Sequence, residues 1–328
     1  MEFEYTPKFT LNNEMLLLVA EIMNIIGGIH PIDDLSKQPI LRKINRIKTI
    51  HSSLAIENNS LTLEQVTAVI NGKTVLAPQN EIQEVKNAYE AYKLLGIMNP
   101  FEVKDMLKVH GIMLQNLIAD CGKLRTKNVG VYQGGMTVHI APPPENVSAL
   151  IYKLYDWLKK DKTHPLIKSC VFHYEFEFIH PFDDGNGRLG RFMQSAILHN
   201  WNPIFAWLPI ETIIKERQQE YYNCFEKARI DGEPNVFIVF ILQAILDALK
   251  NLQIESNKFL LSQTVQIQRL MNVLDARPVS AKTITELLKL KSVLTVKRNY
   301  LEPAIKLGLV QMTEPNNPTS RNQKYFRS

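Results

Sequence analysis

The spacing of hydrophobic positions predicts that most of this chain is helical. Apolar residues recur every three or four positions over 82–92 and 150–158, which is the spacing of one buried helical face. Strand-like runs are rare, and the clearest are 129–132 and 136–140, which flank Gly134-Gly135. Two β-prone runs around a two-glycine turn predict a β-hairpin. We therefore expect an all-α fold that carries one hairpin.

The C-terminal part of the chain has the pattern of a separate small domain. Three predicted helices are followed by two short β-prone runs, which is the order of a winged helix-turn-helix. Pro303 falls inside the third helix and should kink or interrupt it, because proline lacks an N–H and its ring crowds the preceding turn. The predicted elements are helices at 264–274, 283–290 and 295–307 and strands at 308–312 and 323–326.

Composition narrows the class of protein. Of the 328 residues, 45% are hydrophobic and 22% are charged, which is typical of globular domains and excludes disordered, collagen-like and disulfide-stapled proteins. No run of about 18 uninterrupted apolar residues is present, so we expect no membrane partner. The first residues lack the pattern of a secretion signal, and the three cysteines form no spaced framework. Together these features predict a cytoplasmic location.

Charge is distributed unevenly along the chain. The net charge is +5, yet residues 258–327 hold 12 Lys and Arg against 4 Asp and Glu, so the remainder is mildly acidic. A basic terminal domain is one sign of nucleic-acid binding. A DNA-binding regulator that acts through 258–328 is therefore an alternative function. Its candidate contacts are Thr295, Lys297, Arg298, Arg321 and Lys324.

One stretch, 180–191, concentrates groups that suit phosphate chemistry. Pro181 ends the helix that precedes it, and glycines at Gly185 and Gly187 allow the backbone to approach a ligand closely. A second helix is predicted to begin near Asn186. The N–H groups of its first turn would then point at one spot, which suits an anion.

The charged side chains of this stretch extend the same interpretation. Arg188 and Arg191 lie three positions apart on one helical face, and two guanidiniums beside amide N–H groups can hold a polyphosphate. Asp184 offers the hard oxygen ligand that Mg²⁺ on a phosphate chain requires. His180 can be both neutral and basic at pH 7. The sequence thus predicts a nucleotide-phosphate site with a histidine base.

This stretch resembles the signature of the Fic family, H-x-F-x-[D/E]-G-N-G-R-x-x-R, and it matches every defined position. The resemblance covers about 80–235 and includes Arg125 before the hairpin and Tyr221-Tyr222 downstream. It implies a Fic-type helical bundle whose members mostly transfer AMP from ATP to a hydroxyl side chain of a protein. It also implies that His180 takes the proton from the Tyr, Thr or Ser hydroxyl of the target.

By the same resemblance, the nucleotide would lie along the start of the second helix. Asp184 would hold Mg²⁺ between the α- and β-phosphates, Arg188 would contact the phosphates, and Arg191 would hold the γ-phosphate. The hairpin 129–140 would be a flap on which the target protein docks as an added strand. For Tyr221, an adenosine contact and a plain core position both stay open. The other nucleotide contacts implied are Gly185, Asn186, Gly187, Leu189, Gly190, Thr137, Val138 and His139.

An inhibitory element is implied upstream of the signature. A helix is predicted over 40–57, and near its end Ser53-Leu54-Ala55-Ile56-Glu57-Asn58 fits the family's inhibitory motif, [S/T]-x-x-x-E-[G/N]. In relatives the glutamate pairs with the second arginine of the signature and blocks productive placement of the γ-phosphate. The resemblance therefore predicts a regulatory pair between Glu57 and Arg191, with Ser53 as the first residue of the motif.

The resulting expectation is a protein adenylyltransferase that uses ATP and Mg²⁺ and is restrained by Glu57. A de-adenylylase at the same loop is an alternative, as is a metal phosphohydrolase in which His173 joins His180 and Asp184. Because relatives often form dimers, a homodimer is a further partner that the resemblance allows. The expected parts are 1–80 with an inhibitory helix at about 40–58, a catalytic core at 81–235, a linker helix at 236–257 and a winged-helix domain at 258–328.

Overall fold

The fold is mostly helical, as predicted. In this computed structural model the described residues are 6–28, 39–133, 136–262, 265–306, 308–315, 317–318, 320 and 322–327. Most of these residues form helices, and the remaining regular structure is one two-stranded and one three-stranded antiparallel sheet. The predicted all-α architecture with one hairpin is confirmed, and the small second sheet belongs to the C-terminal part.

The N-terminal part is built from short amphipathic helices. α3 starts with a capping box, in which Thr62 Oγ1 accepts a hydrogen bond from the Gln65 N–H and Gln65 Oε1 accepts one from the Thr62 N–H. α2 is the helix predicted over 40–57. The helices are α1 (Asn13–Gly28), α2 (Pro39–Ile56), α3 (Leu63–Ile70), α4 (Gln79–Lys93) and α5 (Val103–Met113).

The predicted hairpin follows α5. Strand β1 (Gly130–Gln133) pairs antiparallel with β2 (Met136–Ile140), and Val131 lies opposite His139, with an irregularity in the register after Val131. The side chains of Thr137, Val138 and His139, which were predicted to contact the nucleotide, lie outside the described part of the chain. For this hairpin the structure therefore describes the pairing of the two strands and leaves the predicted side-chain contacts untested.

Two buried helices flank the loop 180–185, which is the first half of the signature. The helices after the hairpin are α6 (Pro144–Lys160), α7 (Pro165–Ile179), α8 (Asn186–Trp201), α9 (Ile210–Glu216) and α10 (Gln218–Asp231), with a 3₁₀ turn at Pro203–Ala206. Phe172 and Phe176 of α7, Phe182 of the loop and Phe192 of α8 are all fully buried. A helix buried on nearly all sides is a core helix, so the loop 180–185 is anchored at both ends in the core.

Helix α11 (Asn235–Ser262) overlaps the predicted linker helix and extends beyond it. By length and composition alone, its stretch Asn235–Ile254 could cross a membrane. Yet 61% of that apolar window is buried inside the protein, and Phe237, Ile241 and Leu249 belong to the core. The core helix of a globular protein passes the same test, so this stretch is weak evidence for a membrane span.

The chain divides into two compact units, one of Met1–Gly28 with Asn45–Lys250 and one of Ile29–Ile44 with Asn251–Ser328. The second unit has a core of its own, which includes Leu270, Ile284 and Tyr300. Its sheet has the order β3-β5-β4, and the two-residue β3 adds to the predicted elements. These elements are α12 (Val265–Val273), β3 (Val279–Ser280), α13 (Ala281–Leu287), α14 (Val293–Val296), α15 (Glu302–Lys306), β4 (Val310–Met312) and β5 (Lys324–Arg327).

The interruption predicted at Pro303 takes the form of a π-helical turn. Lys297–Leu301 adopts this wider turn between α14 and α15, and it ends two residues before the proline. An i→i+5 turn shifts the hydrogen-bond register at the point where Pro303 has no N–H to donate. The helical path therefore continues through the proline.

Candidate active site

His180 stands at a sharp bend at the end of α7. Its backbone is left-handed, with φ 49° and ψ 62°, and its N–H donates to the Phe176 carbonyl oxygen at 2.9 Å. A non-glycine residue in this region is uncommon, and Pro181 after it cannot continue the helix. The bend sets the imidazole beside the loop that leads into α8.

Gly185 closes this loop and forms the N-cap of α8. Its φ of +82° is left-handed, and a Cβ built there would lie 2.6 Å from Leu114 Cδ2. Glycine is therefore required both by the backbone and by the approach of α5. Since α8 begins at Asn186, the N–H groups of its first turn have no acceptor within the helix and suit an anion, as predicted.

The side chain of Asn186 pins the loop. Its Oδ1 accepts a hydrogen bond from the Phe182 N–H at 2.9 Å, and its Nδ2 donates to the Phe182 carbonyl oxygen at 2.8 Å. The side chain is buried and committed to this pair of bonds. Any contribution of Asn186 to anion binding therefore falls to its backbone N–H.

His110 of α5 packs against the loop 180–185, a contact that no sequence motif indicated. Its ring stacks on Phe182 with centroids 3.7 Å apart, and its Nε2 lies 3.0 Å from the Asp184 carbonyl oxygen. Its Nδ1 accepts a hydrogen bond from the Gly122 N–H at 2.8 Å. Burial lowers the pKa of His110, so it is neutral with its proton on Nε2.

A buried carboxyl, also missed, lies beside His180. Glu177 presents its carbonyl oxygen at 3.4 Å and its Oε2 at 4.0 Å from His180 Nδ1. A carbonyl oxygen can only accept a hydrogen bond, so that of Glu177 favours the tautomer with the proton on Nδ1 and the basic lone pair on Nε2. Burial raises the pKa of Glu177 to about 8; the charge of Arg191 opposes this shift and that of Glu57 adds to it.

The structure contains the predicted pair between Arg191 and Glu57. Arg191 is 2% exposed, and its Nη2 lies 2.8 Å from Glu57 Oε1 and 2.9 Å from the Ser53 carbonyl oxygen; its Nε donates to Ser53 Oγ at 3.2 Å. Burial lowers the pKa of Arg191, but the combined effects of Glu57, Tyr221 and Glu177 outweigh burial and the net shift is upward. A Cβ on Gly187 would collide with this carboxylate, so glycine there leaves room for the pair.

Arg188 is held by two carboxylates. Its Nη2 lies 2.9 Å from Asp184 Oδ1, as the shared loop suggests, and its Nη1 lies 3.1 Å from Glu84 Oε1 of α4. Glu84 Oε2 also accepts a hydrogen bond from Asn59 Nδ2 at 2.8 Å, and no sequence motif indicated this residue. Leu189, the next signature position, is fully buried and packs in the core.

The three groups of the proposed metal phosphohydrolase do not converge. His173 is buried, with Nδ1 2.7 Å from Gln194 Oε1 and Nε2 3.1 Å from the Tyr221 hydroxyl, so both ring nitrogens are engaged. Burial lowers the pKa of His173 to about 3. Within the described ranges, no group of three or more His, Cys, Asp and Glu side chains could hold a metal. Tyr221 is 2% exposed, so of the two roles considered for it the structure supports the core position.

Side chains from α9 and α10 bind the C-terminal end of α2. Lys215 Nζ donates to the Ala55 carbonyl oxygen at 2.9 Å. Gln218 Nε2 and the Tyr222 hydroxyl both donate to the Ile56 carbonyl oxygen, at 3.0 and 3.1 Å. The last carbonyls of a helix lack N–H partners in a following helical turn, and here side chains of α9 and α10 supply donors to two of them. The segment that carries Glu57 is thereby fastened to the core.

Two families match this chain. Residues 100–198 match the Fic/DOC family. Residues 265–327 match a C-terminal domain described as that of the "Filamentation induced by cAMP protein Fic-like" family. The first match contains the loop 180–191 and the whole of α7, and the second contains most of the second unit.

Individual relatives extend the match along the chain. The protein adenylyltransferases Fic of Drosophila virilis and Nematostella vectensis are 28% and 30% identical over 244 and 246 residues, which are 71% and 70% of this chain and 47% and 54% of theirs. The chain thus spans about half the length of these relatives. The crystal structure of a Fic family protein from Desulfovibrio desulfuricans G20 matches 99% of this chain and 98% of its own, with 41% identity and a TM-score of 0.75. The similarity covers nearly the whole of both chains, and the signature at 180–191 is complete. This protein therefore belongs to the Fic family.

Proposed function

We propose that this chain is a protein adenylyltransferase, which transfers AMP from ATP to a Tyr, Thr or Ser hydroxyl of a target protein. The observation that carries the proposal is the loop 180–191, which combines a histidine base, the amide N–H groups at the start of α8 and two buried arginines. The similarity to curated protein adenylyltransferases supports the same reaction.

The chemistry follows from the groups of the loop. The target hydroxyl oxygen attacks the α-phosphorus of ATP, pyrophosphate leaves, and His180 Nε2 takes the hydroxyl proton. A hydroxyl whose pKa lies far above 7 needs such a base. Amide N–H groups of the first turn of α8 and the guanidinium of Arg188 stabilise the charge on the phosphates, which is the main demand of this class of transfer.

Magnesium fits the residues present as an ion that arrives with the nucleotide. Mg²⁺ in such sites takes one or two carboxylates from the protein and its other ligands from phosphates and water. The side chain of Asp184 is 54% exposed and belongs to the phosphate-binding loop, so Asp184 would hold the ion. When bound, Mg²⁺ would neutralise part of the phosphate charge.

Glu57 restrains the reaction by competition. The guanidinium of Arg191 is committed to Glu57 and Ser53, and a γ-phosphate requires the same planar set of donors. Because the pair is charge-assisted and its arginine is buried, we assign it about 1.5–3 kcal/mol. That range corresponds to a suppression of transfer of about 10- to 100-fold.

The test uses ATP labelled at the α-phosphate, with Mg²⁺ and cell lysate. Wild type, Glu57→Gly and Glu57→Gly/His180→Ala are compared by label on protein after electrophoresis. We expect strong labelling with Glu57→Gly, about 10- to 100-fold above wild type, and none with the double variant. Glu64→Gly is the matched control, because Glu64 is an exposed glutamate in α3 that bears no contact to Arg191 among the described residues.

Two results would count against the proposal. Equal initial rates for wild type and Glu57→Gly at saturating ATP would contradict the inhibitory role of Glu57. Absence of label from every variant, while ATP binds, would contradict ATP as the AMP donor.

A further inference from the structure

The side chain of Arg125 joins the bend at His180 to both ends of the hairpin. Arg125 lies in the segment between α5 and β1, and its backbone N–H donates to the Pro181 carbonyl oxygen at 2.9 Å. Its guanidinium donates to four further carbonyl oxygens: His180 at 2.8 Å, Ile179 at 3.3 Å, Lys127 at 2.8 Å and Pro142 at 2.6 Å. Lys127 precedes the hairpin and Pro142 follows it.

This arginine is buried, and in the described part of the chain it bonds no carboxylate, although burial lowers its pKa and the charge of Asp183 opposes that shift. It is 4% exposed, and its hydrogen-bond partners among the described residues are backbone carbonyl oxygens. Burying a cation is strongly unfavourable unless its donors are satisfied. If this position served only to fill space, a neutral side chain would therefore be more stable there. The planar fork of five N–H groups is what reaches four acceptors on two separate chain segments at once.

We propose that Arg125 is a positioning residue, which fixes the hairpin 129–140 at a set distance from His180. The proposal rests on the adenylyl transfer proposed above, in which the target lies on this hairpin and its hydroxyl must reach the imidazole. One guanidinium binds the carbonyl of the base's own residue and the carbonyls that flank the hairpin. The hairpin and the base are therefore held by a common group, although 40 or more residues separate them in sequence.

The expected consequence is a loss of transfer without a matching loss of nucleotide binding. A displacement of about 1 Å between reacting groups can cost about 100-fold in rate. Lysine at 125 keeps the positive charge but offers a single point of donation, so it cannot hold both segments. The phosphate-binding groups at the start of α8 are not bonded to the Arg125 guanidinium and keep their own supports in Asn186 and His110.

Arg46 offers a matched control. It is also a largely buried arginine whose guanidinium donates to backbone carbonyls, those of Tyr92 and Ala206. It lies on α2 and bonds neither the hairpin nor the loop 180–185 among the described contacts. Arg46→Lys therefore removes the same kind of interaction elsewhere in the core, and in a Glu57→Gly background the inhibitory contact is already absent.

The first experiment compares Arg125→Lys, Arg125→Gln and Arg46→Lys in the Glu57→Gly background. Initial rates of labelling, the dissociation constant for Mg²⁺ with an ATP analogue that has a methylene between its α- and β-phosphates, and melting temperatures are measured. We expect both Arg125 variants to label about 100-fold more slowly and to bind the analogue within about threefold of the parent, whereas Arg46→Lys labels at the parent rate. Labelling of Arg125→Lys at the parent rate, or a loss that merely follows the loss of nucleotide affinity, overturns the proposal.

The second experiment does not depend on transfer. Hydrogen exchange of the amides in 130–140 and 179–186 is measured for wild type, Arg125→Lys and Arg46→Lys. Exchange should rise in both segments together for Arg125→Lys and in neither for Arg46→Lys. A rise in one segment alone, or in none, overturns the positioning role. If the Glu57→Gly parent shows no labelling, the proposed function fails while exchange still decides the role of Arg125.

Discussion

Three carboxyl groups lie near the guanidinium of Arg191, and burial makes two of them harder to ionise. Burial raises the pKa of Glu177 to about 8 and that of Glu211 to about 7, against 4.5 for an ordinary glutamate. Glu57 is 36% exposed and forms the direct contact at 2.8 Å. Near neutral pH the two buried groups therefore hold protons to a large extent, and Glu57 is the counter-ion of Arg191.

The signature does not specify the residue at Gly190, but the carboxyl of Glu177 leaves no room for a larger side chain there. A Cβ there would collide with Glu177 Oε1 and approach His173 Cδ2 to 3.2 Å. We expect Gly190→Ala to lower the free energy of unfolding by about 1–3 kcal/mol, because overpacking forces the two core helices apart. Chemical denaturation monitored by circular dichroism measures this change.

The control for Gly190→Ala is Gly27→Ala in α1. No heavy atom lies within 4 Å of a Cβ built at Gly27, and alanine is the better helix former, so stability should hold or rise by about 0.5–1 kcal/mol. Equal stability of the Gly190→Ala and wild-type proteins would show that the α7–α8 contact is looser than the structure indicates.

The residues that carry the chemistry were predictable because they follow each other in the chain. The signature and the motif around Glu57 state residue types at fixed spacing, and the Glu57–Arg191 pair was expected on that ground. His110, Glu84 and Glu177 were not predictable. The first two act on residues 74 and 104 positions away, and the third acts by burial, so each depends on packing that no local pattern encodes.

At the scale of single elements, the end of α2 decides how firmly Glu57 is held. The Tyr222 hydroxyl accepts a hydrogen bond from Gln218 and donates one to the Ile56 carbonyl oxygen, one residue before Glu57. The sequence predicted α2 over 40–57, and the structure ends it at Ile56, two residues before Asn58, whose φ of 68° is left-handed. The sequence could not indicate the donors from α9 and α10, because they come from more than 150 residues away.

Tyr222→Phe should weaken this attachment. Loss of one neutral hydrogen bond is worth about 0.5–1.5 kcal/mol, so AMP labelling by the otherwise wild-type chain should rise about 2- to 10-fold. The same substitution in the Glu57→Gly background should leave the rate unchanged, since no inhibitory contact is left to loosen. Tyr152→Phe, on the exposed side of α6, is the control; a rise in both backgrounds would contradict this role of Tyr222.

At the scale of the whole molecule, the buried titratable groups set opposite limits on stability. The unfolded chain binds a proton at His173 below about pH 6.5, but the folded chain resists it down to about pH 3. Stability therefore falls as the pH drops through this window. The folded chain keeps the Glu177 proton up to about pH 8, whereas the unfolded chain releases it near 4.5, so stability also falls as the pH rises from 4.5 to 8.

Melting temperature measured from pH 4 to pH 9 tests both limits. Glu177→Gln should flatten the decline on the alkaline side and leave the acid side as in wild type. Glu226→Gln, at an exposed position of α10, should change neither side. An alkaline decline that persists unchanged in Glu177→Gln would contradict the protonated state of this carboxyl.

Hydrophobic spacing predicted the order of the helices and the hairpin along the chain. It could not predict which segments pack together into each compact unit. Residues 39–44, at the start of α2, group with the C-terminal unit, a long-range association that a pass along the chain cannot detect. The two-residue β3 was missed because so short a strand has no alternation to recognise. DNA binding through 258–328, a homodimer and a cytoplasmic location stay predictions.

Glu57 lies one residue beyond the end of α2, and under the proposed function this position sets the free energy needed to release Arg191. The N–H of Glu57 bonds to the Leu54 carbonyl oxygen at 3.0 Å, a closing turn beyond the last residue of α2, while Ile47, Ile50 and Leu54 remain buried in the core. Helix ends open locally at far lower free energy than the core does. Under the proposed function, a signal would therefore need only to fray one turn to permit AMP transfer, and the inhibited and active forms would share one folded body.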